Sequence, residues 1–284
     1  MACPRTFPRG AAAVNDARFS GLEVLIHEPP AKPRRPAHPT PLLFIHGAYT
    51  AAWCWQEHFL PFFAERGYQS CALSLSGHGA SRGREHLDSL GIDDYIADVA
   101  LVAAALPAPP VLIGHSMGGF VVQKYLEKHR APAAVLMCSA PPQGLMSAAF
   151  GLMFQKPGLM KDLNSLMGGG RVSAETLRQA LFAQPVAGAD LARYLRYSQP
   201  ESHRAIWDMT LFNLPHPSRV KDTPLLVLGG EYDQLIPASL VEMTARTYAV
   251  DAEIFPGMGH GLMLERDWQT VAGRILSWLT EREI

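Results

Sequence analysis

The chain has 284 residues, of which 48% are hydrophobic and 18% charged. That composition excludes a disordered or collagen-like chain, and the length suits one large α/β domain or two small ones. With 25 basic against 26 acidic residues the formal charge is -1. No basic excess supports nucleic-acid binding, and no single-sign field draws the chain to an anionic membrane.

The first sixteen residues carry Arg5, Arg9, Pro4 and Pro8 but no apolar run long enough for a secretory leader. The longest apolar runs, such as residues 99–106, fall far short of the roughly 20 residues of a membrane-spanning helix. The four cysteines, Cys3, Cys54, Cys71 and Cys138, are scattered and form no C-x-x-C. Reduced thiols in a cytoplasmic protein are therefore expected, with neither a zinc site nor a redox motif.

In chain order, a β-rich run at 22–27 precedes residues 29–41, a connection holding six prolines. Short apolar runs follow at 42–46, 70–75, 111–113, 134–138, 225–228 and 252–255, most of them ending in Gly or Pro. Continuous apolar runs of this length read as strands covered on both faces of a sheet. Helical stretches alternate with them. Residues 55–66 stop at Gly67, 93–106 open on Asp93-Asp94 and stop at Pro107, and 117–129, 238–248 and 267–282 follow later strands. Strand and helix in alternation predict a doubly wound, mostly parallel sheet with right-handed crossovers.

Residues 143–214 break the alternation. They carry no strand signal and are cut by Pro157, Gly168-Gly169-Gly170, Pro185 and Pro200. The clearest helix begins after Ser173, a candidate N-cap. Met146, Met153, Met160 and Met167 repeat every seven residues, but Pro157-Gly158 interrupts a coiled coil, and adaptable packing is the simpler reading. The expected organisation is an α/β core of residues 1–142 and 215–284, with a helical cap of residues 143–214 inserted between two late strands.

The chemistry concentrates at Gly114-His115-Ser116-Met117-Gly118, a G-x-S-x-G between a strand and a helix. A serine there sits on a sharp turn that lifts its hydroxyl clear of the sheet, and the flanking glycines relieve the backbone clash. A hydroxyl attacks a carbonyl only if a histidine takes its proton, and the histidine needs a carboxylate to hold its tautomer. His260, in the glycine-rich loop after the last strand, is the candidate base. Asp233, just past the 225–228 strand, is the preferred acid, with Glu231 the alternative. Trp53, His115 and Trp207 are candidate pocket residues, core or cap packing being the other reading for the tryptophans. Cys138 reads as a buried, inert thiol.

These motifs, in the order Ser, acid, His, resemble the α/β-hydrolase superfamily, in its esterase, lipase and monoacylglycerol-lipase-like branch. There is some likeness to cofactor-free haloperoxidases and hydroxynitrile lyases. The resemblance runs from about residue 18 onward. His46-Gly47-Ala48 is similar to the family's oxyanion loop, which implies the backbone N–H groups of Ala48 and Met117 as oxyanion donors. Gly77-His78-Gly79-Ala80-Ser81 resembles a structural loop of the family, and the 143–214 insertion resembles its lid. Ser74 and Ser76 stand where the family often has Asp and then Arg or Pro. The nucleophile is serine, which disfavours haloalkane dehalogenases and epoxide hydrolases.

The expected activity is hydrolysis of a small to medium uncharged carboxylic ester through an acyl-serine, with no metal and no cofactor. Other carbonyl chemistry on the same residues is the alternative: C–C hydrolysis, thioester cleavage, perhydrolysis or lyase chemistry. A ligand receptor with negligible turnover is the third reading. The partner in each is a small molecule.

Overall fold

All seven expected apolar runs become strands; the five central ones are buried on both sides, and those at 22–27 and 252–255 are partly exposed. The computed structural model describes residues 12–14, 17–31, 38–146, 158 and 173–284. Its strands are β1 (Ala12–Val14), β2 (Val24–His27), β3 (Leu42–Ile45), β4 (Ser70–Leu73), β5 (Val111–His115), β6 (Ala134–Met137), β7 (Leu225–Gly230) and β8 (Ala252–Phe255). They form one sheet in the order β1-β2-β4-β3-β5-β6-β7-β8. β1 and β2 pair antiparallel with each other, and β2 with β4; every other pairing is parallel. β1 has no counterpart among the sequence expectations. Its sequence, Ala-Ala-Val, lacks β-branched alternation, and it is a strand because β2 offers an edge to pair with.

The period of two divides the core. Phe44, Ile113, Val135 and Leu228 point to one face, where Trp55, Phe59, Phe63, Ile275 and Trp278 cover them. Leu43, Ile45, Leu112, Leu136 and Val227 point to the other, against Tyr95, Val99, Phe120, Val121 and Val241. The covering helices are α1 (Trp53–Gln56), α2 (Phe59–Ala64), α3 (Ile92–Ala105), α4 (Met117–Tyr125), α8 (Ala238–Thr247) and α9 (Trp268–Thr280). The single helix expected over 55–66 is two, separated at Glu57-His58, where His58 has φ -140°. Pro61 explains the break: in a continuous helix its ring would meet the Glu57 carbonyl, and that carbonyl would lose its donor.

Between β6 and β7 the described residues hold helices and no strand. α5 (Ala174–Leu181) starts at Ser173, whose hydroxyl accepts from the Thr176 N–H at 3.0 Å. α6 (Gly188–Tyr197) and α7 (His203–Trp207) lie on either side of Pro200, and a wide turn, Asp208–Phe212, follows. Cys3, Pro157, Met153, Met160, Met167 and Gly168-Gly169-Gly170 lie outside the described residues. Cys54, Cys71 and Cys138 are buried and free, and burial lifts the first two thiols to about 12. No helix among the described residues is long and apolar enough to cross a membrane.

Ser74 and Ser76 anchor the loop after β4 without the family's usual residues. Ser74 donates to Glu23 Oε2 at 2.6 Å. Ser76 gives its N–H to Asp98 Oδ2 at 2.7 Å and its hydroxyl to Oδ1 at 2.9 Å. Burial pushes the Asp98 carboxyl from 3.8 up to about 6, against the opposing pull of Ser76 and Arg82. A carboxyl raised on folding stabilises fully below its unfolded value and loses that contribution as pH rises through the folded one. Going from pH 4 to pH 7 is therefore expected to cost the wild type about 2 to 3 kcal/mol more than it costs Asp98→Asn, a shift from 3.8 to about 6 expressed as free energy. Urea denaturation of both proteins at the two pH values measures the difference.

Candidate active site

The sharpest backbone feature lies where β5 meets α4. Ser116 has φ +53° and ψ -115°, a conformation L residues rarely adopt. Its N–H donates to Met137 O at 2.9 Å, and its carbonyl accepts from Phe120 N and Ala140 N, each at 3.2 Å. These bonds hold the strained turn, and the side chain remains half-buried. The flanking glycines are steric necessities. A Cβ on Gly114 would stand 2.4 Å from Gly118 O, and one on Gly118 would stand 2.3 Å from Ile45 O and 2.6 Å from His46 O. Those obstacles are main chain and cannot swing aside. Gly118→Ala is expected to cost about 3 kcal/mol or more. Gly273→Ala, on α9 with nothing within 4 Å of its added Cβ, should instead be neutral or stabilising by up to about 1 kcal/mol. Denaturant melts of the two variants test the contrast.

Asp233 lies three residues beyond β7. Its Oδ1 accepts from Leu235 N at 2.8 Å and Ile236 N at 2.9 Å, which fixes the carboxylate plane. Its Oδ2 meets His260 Nδ1 at 2.7 Å, and both side chains are buried. A carboxylate only accepts, so Nδ1 carries the hydrogen and Nε2 keeps its lone pair in the neutral ring. Glu231, the alternative acid, turns to the exterior and accepts from Gly257 N at 2.9 Å.

The His260 loop docks onto the serine turn through His115. His115 Nε2 donates to His260 O at 2.9 Å, and the two rings lie 4.7 Å apart. Burial keeps His115 neutral, its pKa well below the usual value, and the proximity of the titratable His260 ring adds to that. Among the described residues no hydrogen bond joins Ser116 Oγ to His260. Such contacts often tighten only when substrate is bound. Cys138 sits beside this cluster, and burial, then the Asp233 charge, keeps its thiol protonated. The ligand atoms of His115, Cys138 and His260 lie within 4.8 Å of one another. His115 Nε2 and His260 Nδ1 are already engaged with protein acceptors.

The loop after β3 crosses directly over the serine: a Cβ on Gly47 would lie 2.9 Å from His115 Nδ1 and 3.0 Å from Ser116 Cβ. Gly47 O accepts from His46 Nδ1 at 2.8 Å and Thr50 Oγ1 at 2.9 Å. In a trans peptide the N–H lies opposite the carbonyl, so these two bonds also orient the Ala48 N–H. Met117 is the first residue of α4, where the helix leaves N–H groups without internal partners. Of the three candidate pocket residues, Trp53 stacks on Tyr194 of α6 at 5.6 Å and meets Tyr197 at 5.4 Å. His115 is buried beneath the site, and Trp207 is 52% exposed on α7 with its ring against Phe212.

Two buried carboxylates that the sequence did not mark tie the inserted segment to these loops. Glu265 accepts from Gly259 N at 2.8 Å beside His260, and from Ala183 N at 2.7 Å and Gln184 N at 3.2 Å. Gly261 N donates to Leu181 O at 2.7 Å alongside. On the opposite side Glu201 reaches the loop after β3. Neither glutamate lies in a motif, and their partners are up to 152 residues away.

The fold and this strand-turn-helix arrangement define an α/β-hydrolase. The model of the alpha/beta hydrolase family matches residues 42–274, and the chain belongs to that family. It is similar to a non-heme haloperoxidase of Rhodococcus erythropolis, 29% identical over 84% of this chain and 92% of that protein. It also resembles a monoacylglycerol lipase of Mycolicibacterium smegmatis, 27% identical over 78% of this chain and 82% of that protein. Among solved structures, an esterase from Exiguobacterium antarcticum superposes with a TM-score of 0.69 at 19% identity, covering 92% of this chain and 97% of that one.

Proposed function

We propose that the protein is a serine hydrolase that cleaves uncharged carboxylic esters, with Ser116 as nucleophile, His260 as general base and Asp233 as the orienting acid. The observation that carries this reading is the 2.7 Å bond from His260 Nδ1 to Asp233 Oδ2, in a loop docked on the residue before the strained Ser116. It leaves His260 Nε2 as the basic nitrogen. Ser116 Oγ attacks the ester carbon as its proton passes to Nε2. The Ala48 and Met117 N–H groups hold the resulting oxyanion, each worth roughly 3 to 4 kcal/mol in such sites. The C–O bond breaks as His260 protonates the leaving alcohol. Water then gives a proton to His260 and attacks the acyl-serine, and as the acyl–Oγ bond breaks His260 returns that proton to Ser116 Oγ and the acid leaves. No step calls on a metal or a cofactor. Residues 143–214 act as the cap, with Trp53, His115 and Trp207 as its pocket candidates.

The relatives named lipase and esterase support ester chemistry. Those named haloperoxidase support a second outcome from the same intermediate, with hydrogen peroxide replacing water as acyl acceptor and a peracid as product. The test is kcat/KM across p-nitrophenyl esters of rising chain length, a thioester and a vinylogous diketone, with peroxide as competing acceptor. The highest value on an ester supports the proposal. A higher value on the thioester or diketone moves the assignment to that reaction. No turnover, together with no labelling of folded protein by a fluorophosphonate, moves it to a receptor.

A further inference from the structure

We propose that Glu201 is a positioning residue for the oxyanion loop: its carboxylate, paired with His78, grips the Tyr49 N–H and so keeps the neighbouring Ala48 N–H aimed at the serine. This rests on the serine-hydrolase reading above and adds to it a residue from the inserted segment.

Glu201 is fully enclosed, with no exposed side-chain surface on itself or on His78. Four donors converge on its two oxygens: His78 Nε2 at 3.0 Å and Tyr49 N at 3.3 Å on Oε2, Tyr95 OH at 2.7 Å and Ser202 N at 2.8 Å on Oε1. His78 Nδ1 lies 3.0 Å from Ser76 O. Both ring nitrogens therefore face pure acceptors, and both must carry hydrogen, which makes His78 an imidazolium. Burial opposes charge on each partner. The pairing outweighs it, so the Glu201 carboxyl is held below its usual range and His78 above its own. His46, whose ring lies 5.1 Å from that of His78, takes the other role: burial and the His78 charge lower it to about 3, so it stays neutral. In that form it can donate from Nδ1 to Gly47 O and accept the Leu75 N–H on Nε2 at 3.0 Å.

The loop needs this grip. Tyr49 has φ +63°, a left-handed backbone that a bulky residue adopts at a cost. Its N–H is held by Glu201, and its carbonyl accepts from Gln199 N at 3.0 Å. The Gln199 amide adds a bond from Nε2 to Thr50 O at 2.7 Å. The peptide on the N-terminal side of Ala48 is thus oriented by His46 and Thr50, and the peptide on its C-terminal side by Glu201. Releasing the second frees Ala48 to rotate between them. Tyr95, by contrast, donates from α3 to Oε1 and not to the Oε2 that holds the Tyr49 N–H, and its ring, which lies 5.9 Å from that of His78, stays in place when only the hydroxyl is removed.

The experiment compares Glu201→Gln, Tyr95→Phe and wild type at 25 °C. It measures kcat and KM for p-nitrophenyl butyrate, the second-order rate of Ser116 labelling by a fluorophosphonate, and the melting temperature. Glutamine keeps the volume but offers one acceptor oxygen where four donors point. The expected result is a fall of roughly 100-fold in kcat and in labelling rate, the scale of one weakened oxyanion donor, with KM changed less than about threefold. Tyr95→Phe should lower the melting temperature and leave kcat within about threefold. Glu201→Gln with lowered melting but undiminished kcat and labelling overturns the proposal, as does Tyr95→Phe losing as much kcat as Glu201→Gln. Should Glu201→Gln not fold, amide exchange in the wild type decides: a Tyr49 N–H protected at least about 100-fold supports the grip, and an unprotected one overturns it. Wild type that neither labels nor hydrolyses the ester defeats the hydrolase reading itself, whereas normal wild-type labelling with an unchanged variant defeats only the role of Glu201.

Discussion

Ser116→Ala is expected to lower kcat/KM for a hydrolysed ester by roughly five to six orders of magnitude, with the fold intact. The hydroxyl is the only atom lost. The turn that presents it is held by main-chain bonds through Ser116 N and Ser116 O, and alanine makes the same ones. The positive φ strains alanine as it strains serine, so stability should move little. Substrate affinity should likewise persist, because the proposed oxyanion donors, the Ala48 and Met117 N–H groups, and the inserted helices remain. Any residual rate reflects those groups acting on water. Steady-state kinetics beside a denaturant melt separates lost chemistry from lost structure: a variant that melts as wild type does yet keeps a tenth of its activity would remove Ser116 from the mechanism.

Asp233→Asn should cost about 10^4 in kcat, and the geometry says why so conservative a change is so damaging. Oδ1 accepts from two backbone N–H groups, Leu235 and Ile236. An asparagine must keep its oxygen there, which turns its NH2 toward His260 Nδ1. That nitrogen must then accept, so the hydrogen moves to Nε2, and the base loses the lone pair meant for the serine proton. KM and the melting temperature should change far less than kcat. Glu231→Gln, whose carboxylate serves Gly257 N on the exterior, should leave kcat within about threefold. Equal losses from the two substitutions would contradict the assignment of the acid.

How far these features could be read from the residues depended on their range along the chain. The strands at 42–46, 111–113 and 225–228 were legible because burial on both faces leaves continuous apolar runs. The serine turn was legible because main chain approaches Gly114 and Gly118 too closely for any side chain, and that necessity appears as a fixed spacing. β1 was not legible, since three small residues become a strand only through the edge of β2. The break between α1 and α2 could have been found: Pro61 has no N–H to donate to the carbonyl four residues earlier, so a continuous helix cannot run through it. Glu201 and Glu265 could not. A buried carboxylate is defined by its donors, and three of the four on Glu201 come from Tyr49, His78 and Tyr95, more than a hundred residues before it. The motif at 77–81 marks His78 as part of a structural loop, which its Nδ1 bond to Ser76 O fits, while its second bond turns that loop into an anchor for the inserted segment. The insertion over residues 143–214 is legible only through its missing strand signals, and its described part meets the core through scattered side chains such as Tyr194 on Trp53 and Glu201 on His78, whose long-range pairings leave no pattern in the sequence.

The most direct measurement is capture of the covalent intermediate. Wild type reacting with p-nitrophenyl butyrate is quenched in acid within the first turnovers, digested and weighed by mass spectrometry. A butyryl group on the peptide containing Ser116, absent from Ser116→Ala, is the predicted result. Sustained ester turnover with no acyl adduct, or an adduct on a different residue that survives in Ser116→Ala, would contradict the mechanism.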